Sequence, residues 1–241
     1  MNSALLCSYC NRPISGKYFR DYWGNNYHSE HLNKVPQCNY CSRLISRDLT
    51  KGGTSYSDGR RICMLCHKSA IEDTVSGKRI LQKVHDQLAV LGIDINPFRP
   101  EFYMLDRSRL KAMAGSTEKQ GFARFQRETI NGKMKSFTME IYILKGLPET
   151  SFISAAAHEL MHIWFYSRNL LDLTARLEEG SCNYAAYLIL QGIHSPEAAY
   201  RIHELMKDNS PVYGKGFQKV YKMVQDKGIA YWLKYIQSHK K

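Results

Sequence analysis

The spacing of hydrophobic residues changes several times along the chain, and each change predicts an element. Within SGKRILQKVHDQLAVLGIDI, the residues Ile80, Leu81, Val84, Leu88 and Leu91 recur at helical intervals, with His85 read as an ordinary surface or interface residue. PEFYMLD (100–106) then reads as a short strand behind a proline. GFARFQRETI and KMKSFTMEIYIL flank Asn131–Gly132, a dipeptide that favours a tight hairpin turn because both residues tolerate positive φ. Residues 152–166 are mostly alanine and large apolar residues, which suits a buried helix. TARLEEGSCNYAAYLIL (174–190) predicts an amphipathic helix capped by Thr174. SPEAAYRIHELMKD has a Ser–Pro–Glu helix start, and SPVYGKGFQKVYKMV gives a glycine turn and a further helix. The pattern predicts an α+β fold, mostly helical, with a small antiparallel sheet.

The first 70 residues break this pattern, having few large aliphatics and no sustained period. A chain of 241 residues holds one substantial core plus a small module, here placed at 71–241 and 1–70. Six of the seven cysteines form three C-x-x-C pairs, Cys7/Cys10, Cys38/Cys41 and Cys63/Cys66, and Cys182 is left over. HSEH offers His28 and His31 at the same spacing. These four pairs make two tetrahedral zinc sets: Cys7, Cys10, His28 and His31, then Cys38, Cys41, Cys63 and Cys66. His67, beside Cys66, is the competing ligand. A segment so poor in apolar surface needs the metal for its folding energy.

A third site is implied by SAAAHELMHIWF (154–165). Residues four apart share a helix face, so His158 and His162 can point at one ion. Glu159 lies about 100° round the helix, placed to take a proton from a water that zinc acidifies. The dipeptide alone carries nothing, because HELM recurs at 203–206 and is followed by Lys207. A three-ligand, open zinc site also needs a carboxylate. Glu178 and Glu179 are available, and adjacent helical residues cannot both face one ion. Periodicity leaves the choice open. Gly180 and Ser181, whose small size lets two helices approach, favour Glu179, with Glu178 orienting an imidazole behind it. Tyr213 in VYGKGF is the candidate donor to a developing oxyanion, although Tyr184 and Tyr187 also follow the second helix.

The formal charge of +12 is scattered among Asp and Glu, which predicts a solvated surface and weighs against nucleic acid as a partner. Absence of an export signal and of any run of 18 apolar residues sets cytoplasm, with no membrane span, as the expectation.

LKGLPETSFISAAAHELMHIW, LEEGSCNYAAY and NSPVYGKGF resemble the LIM-domain zinc peptidases of plants, the "DA-one" type of ubiquitin-activated organ-size regulators. The resemblance runs from about Cys38 to about residue 230. It implies a LIM or LIM-like module followed by a gluzincin-type peptidase domain with three zinc ions. His158, His162 and Glu179 would be ligands, and Glu159 the base. Six residues separate His31 from Cys38, where a usual LIM module has two. No ubiquitin-interacting helices precede Cys7, so a link to ubiquitin is not expected to transfer. The expected function is a zinc peptidase acting on proteins or peptides, its LIM-like module recruiting substrate or partner. The competing expectation is a non-enzymatic LIM-type adaptor whose second domain keeps a structural zinc.

Overall fold

The computed structural model describes residues 4–116, 118–130 and 133–239, with the side chains of 129, 130 and 133–135 left aside. The expected Asn131–Gly132 turn lies outside the described residues. The chain divides into two compact units, Met1–Ala70 and Ile71–Lys241.

The first unit is built from two small hairpins. Strands β1 (Tyr18–Arg20) and β2 (Asn26–His28) pair antiparallel, as do β3 (Gly53–Ser55) and β4 (Arg61–Cys63). Helices α1 (Arg47–Thr50) and α2 (Met64–His67) are single turns, the first capped by Ser46 Oγ accepting from Leu49 N–H. Apolar packing is sparse: Cys7, Tyr27 and Leu44 form the buried cluster around the first hairpin. Polar bonds take over its role. Asp21 accepts from Trp23 N–H and Asn25 N–H, each at 2.9 Å, and from the Tyr27 hydroxyl at 2.7 Å. Strand β5 (Ala70–Ile71) falls at the boundary between the units.

In the second unit, Asp73 caps α3 (Thr74–Val90), whose buried face includes Leu81, Val84, His85 and Leu88. His85 is therefore interior, because a residue following Leu81 by one helical turn is carried onto the same face. Gly77 lets the sheet come close, since a Cβ there would stand 2.8 Å from Met104 Sδ. Strand β6 (Glu101–Leu105) leads to α4 (Arg107–Ala114), which ends on Gly115 at φ +72°. β7 (Gly121–Ile130) and β8 (Lys133–Leu144) then complete a sheet of order β6-β8-β7. β7 pairs antiparallel with β8, but β6 pairs parallel with it. The sheet is mixed rather than the expected antiparallel one. The chain crosses through α4 before β7, leaving a central place that β8 fills beside β6.

After β9 (Leu147–Pro148), α5 (Glu149–Ser167) runs through the core. Its fully buried Phe152, Trp164 and Phe165 each contribute roughly 1.5–3 kcal/mol of burial. Asn169, at φ +55°, turns the chain out of the helix. Thr174 caps α6 (Ala175–Gln191), which packs on α5. Helices α7 (Pro196–Lys207), α8 (Tyr213–Lys227) and α9 (Ile229–Gln237) close the unit. The α6–α8 crossing is very tight: a Cβ on Gly180 would lie 2.3 Å from the carbonyl carbon of Gly216. Among the described residues no helix is long and apolar enough to cross a membrane.

Candidate metal centres

The first unit carries two donor clusters, and their chemistry fits zinc. The Sγ atoms of Cys38, Cys41, Cys63 and Cys66 lie within 4.8 Å of one another, all four residues buried. Cys41 Sγ and Cys63 Sγ are 3.7 Å apart. Sulfurs about 2.3 Å from a tetrahedral zinc stand about 3.8 Å apart, so this is a ligand spacing. Close contact with the other three thiols, together with an N–H bond from Cys63, pulls the Cys38 thiol down towards thiolate.

Cys7, Cys10, His28 and His31 form the second cluster, again within 4.8 Å. His28 Nε2 lies 3.1 Å from the Pro13 carbonyl, which only a donor can satisfy, leaving Nδ1 to face Cys10 Sγ at 3.4 Å. His31 Nε2 is buried with no hydrogen-bond partner among the described residues, as an imidazole awaiting a cation would be. Burial raises the Cys7 thiol, but the N–H groups of Cys10, His28 and Tyr9 outweigh it and bring the pKa down to about 7. His67 belongs to neither cluster and packs beside Tyr56, ring centroids 6.5 Å apart.

The third cluster is built by α5 and α6 in the second unit. His158 and His162 project from one face of α5, ring centroids 5.1 Å apart. His158 Nδ1 meets Asn183 Oδ1 at 3.0 Å, and His162 Nδ1 meets Glu178 Oε1 at 3.1 Å. Both partners are acceptors, so each Nδ1 carries the proton and each Nε2 presents a lone pair. Glu179 Oε2 lies 3.1 Å from His158 Nε2 and 3.7 Å from His162 Nε2. Three acceptors converging this way repel one another unless positive charge, a metal ion or an added proton, sits among them. Their separations match the roughly 3.4 Å edges of a tetrahedral zinc held by nitrogen and oxygen.

The electrostatics favour positive charge at this point, carried either by a bound cation or by the His162 ring itself. Burial alone would disfavour charge on His162, yet Cys182, Glu178 and Glu179 hold its pKa well above the ordinary value. Burial likewise raises Glu179, and the two imidazoles reverse this to leave its carboxyl strongly depressed.

Glu159, next to His158 on the same helix, is only 5% exposed. Burial raises its pKa, giving a carboxylate with stronger affinity for a proton than usual. It borders a cavity of about 510 Å³ together with His158, His162, Glu179 and Tyr213. Tyr213 sits at the start of α8, its hydroxyl 3.4 Å from Glu179 Oε1, and burial lifts its pKa to about 12. Tyr184 and Tyr187 are instead packed in an aromatic cluster with Phe217 and Tyr221.

Several contributors have no signal in the spacing. Asn183 is one, although its place four residues after Glu179 puts it on the same helix face. Cys182 is another: fully buried, it lies within 4.8 Å of the His158 and His162 donor atoms, and burial raises its thiol to about 12. Gly121 is the third. A Cβ there would stand 2.6 Å from Glu159 Oε1, so any side chain at this position would displace the carboxylate that β7 lies over.

Helical donors of this kind, following a two-cysteine, two-histidine cluster and a four-cysteine cluster along the chain, define a class: chains with LIM-type zinc-binding cysteines joined to a helical unit whose residues could hold a metal of their own. Within that class, residues 109–199 of this chain match the family model described as "DA1-like: Protein DA1". It is 24% identical to the LIM domain-containing protein HDR3 of Oryza sativa subsp. japonica, over 90% of this chain and 56% of that one. Protein DA1-related 7 of Arabidopsis thaliana is 25% identical over 96% of this chain and 52% of its own. Protein DA1 of the same plant is 24% identical over 90% and 51%. The chain thus spans about half the length of the curated relatives it matches. No solved structure matches it significantly.

Proposed function

We propose that residues 71–241 form a gluzincin-type zinc peptidase and that residues 1–70, a LIM-like module with two structural zincs, recruit its protein substrates or partners. One observation carries this reading: three acceptors converge for a cation while Glu159, which is not among them, borders the same cavity. A purely structural site has no use for that buried carboxylate.

Bound zinc would act as a Lewis acid, acidifying water and polarising a scissile carbonyl. Glu159 takes the proton from the attacking water and passes it to the leaving amine, a transfer that its burial, by raising its proton affinity, favours. Tyr213, kept protonated by its pKa of about 12, donates a hydrogen bond to the developing oxyanion of the substrate. β7 is an edge strand, and its residues Gly121–Ala123 border the cavity, so an extended peptide can pair along it.

Digestion of an unbiased peptide library by zinc-replete wild type and Glu159→Gln tests the proposal. Cleavage should fall about 10²–10⁴-fold in the variant, with zinc content and Tm unchanged, because an amide cannot accept the proton. Undiminished cleavage by a zinc-replete Glu159→Gln protein, or none by wild type, would overturn it.

A further inference from the structure

The second unit contains another cavity, of about 380 Å³, that shares no lining residue with the one above the metal centre. Its volume lies in the range of small-molecule sites. The inner wall is mainly apolar: Leu81 from α3, Ile95, Phe102 from β6 and Leu160 from α5 are all less than a tenth exposed, and the buried His85 imidazole, 3.4 Å from the Asp86 and Asp94 carboxylates, is its polar exception beside Gln82. Phe98 extends this wall towards solvent and is itself braced against Phe137, ring centroids 5.5 Å apart.

The rim has a different character. Lys78 and Arg99 line the cavity, both exposed, and neither forms an ion pair among the described residues. Arg99 is nevertheless fixed in place: its Nη1 donates to Asn96 Oδ1 at 2.6 Å and to the Phe98 carbonyl at 2.9 Å. Both acceptors are neutral, so the guanidinium is oriented without being neutralised. The one carboxylate on the rim, Glu101, accepts the Tyr103 hydroxyl. Among the lining side chains two cations stand against one carboxylate, over an aromatic and aliphatic floor; the nearby Asp86 and Asp94 carboxylates are engaged with His85 and, for Asp94, Asn96. An apolar cleft with a few convergent charged groups is how a small ligand is both held and oriented.

We infer that this cavity binds a small organic monocarboxylate with an aromatic or aliphatic body, its carboxylate at Arg99 and Lys78 and its body against Leu81, Ile95 and Phe102. A neutral apolar molecule would gain the floor without the rim, and acetate the rim without the floor. The inference stands apart from the peptidase proposal, since it uses no residue of the metal centre.

The probe is 3-phenylpropionate, titrated calorimetrically into the full chain with zinc present, with 3-phenylpropionamide and acetate as comparisons. Saturable binding of the carboxylate is expected, with the amide and acetate each weaker by about tenfold or more, the cost of losing one charge-assisted contact or the buried body. Arg99→Gln with Lys78→Gln, both exposed substitutions that leave the core intact, should bring the carboxylate down to the affinity of the amide. Amide shifts on binding should fall on residues 81–102. Equal affinity for carboxylate and amide, an unchanged affinity in the double variant, or no saturable binding up to about 10 mM probe would each overturn the inference.

Discussion

The two units solve the same problem, holding donor atoms at ligand distance, by opposite means. In the first, the ligands are themselves most of the interior. Five of its buried apolar positions are the cysteines 7, 38, 41, 63 and 66, and three-residue strands connect them. In the second, the donors sit on two long helices whose interior, with Trp164, Trp232, Phe152 and Phe217, exists without them. Bound metal would therefore serve as core in one unit and as equipment in the other. A site that must fold its surroundings is closed by four strong ligands. A site mounted on a prefolded frame can leave a coordination position open for chemistry.

The strongest way to break this contrast is to remove metal. Structural zinc contributes roughly 10–16 kcal/mol in small modules, more than any packing term available to residues 4–70. Chelation, or Cys63→Ser, should abolish slow hydrogen exchange throughout the first unit and leave the amides of α5 and α6 protected. Equal loss of protection in both units would erase the distinction. Elemental analysis should read three zincs in wild type.

Within the second unit, Glu179→Ala should remove one zinc of the three, and Glu178→Ala should retain it while lowering activity in part. Zinc loss from the Glu178 variant alone would exchange the two roles. Asn183→Ala tests the outer support of His158. Loss of such a partner typically costs 10–100-fold in metal affinity, read by competition with a chromophoric chelator, with little change in Tm.

The smallest effect is expected from Glu140→Gln. Glu140 pairs with Arg124 across β7 and β8, and that guanidinium holds the carboxyl below its ordinary pKa. The contribution is complete above the unfolded carboxyl's pKa and disappears as pH falls through the lower folded value. With Arg124 a third exposed, it should amount to under about 1 kcal/mol. A loss of several kcal/mol at neutral pH would mean that the second unit also leans on polar bonds.

What the sequence made legible follows the same division. The HELMH spacing, the Thr174 cap, both long strands and the Cys/His pairing are local, set by a strand period of two, a helical period of about 3.6, or x2 knuckles. Strand β6 was equally readable, but its parallel pairing with β8 depends on a crossover that no local period encodes. Gly121 and Glu159 stand 38 positions apart in the chain and meet only through the sheet lying over α5. His85 was misread as a surface or interface residue because its neighbours Gln82, Lys83, Asp86 and Gln87 are polar, while its own direction is inward. Asn183 and Cys182 gain their meaning only once α6 is docked.

Gly180 and Gly216 have a bearing on how this protein can change over generations. Glu179 precedes the first by one residue and Tyr213 precedes the second by three, so the gap between carboxylate and phenol is gauged by two missing side chains. The smallest genetic step, a single added carbon, already exceeds the space between the helices. Selection for bulkier substrates therefore meets a cliff at this crossing instead of a slope. Variation that survives should accumulate where side chains merely reach into the cavity, at positions such as Ser116 and Leu205, so a library randomised there should yield altered cleavage preferences while one randomised at the two glycines returns the parent residues.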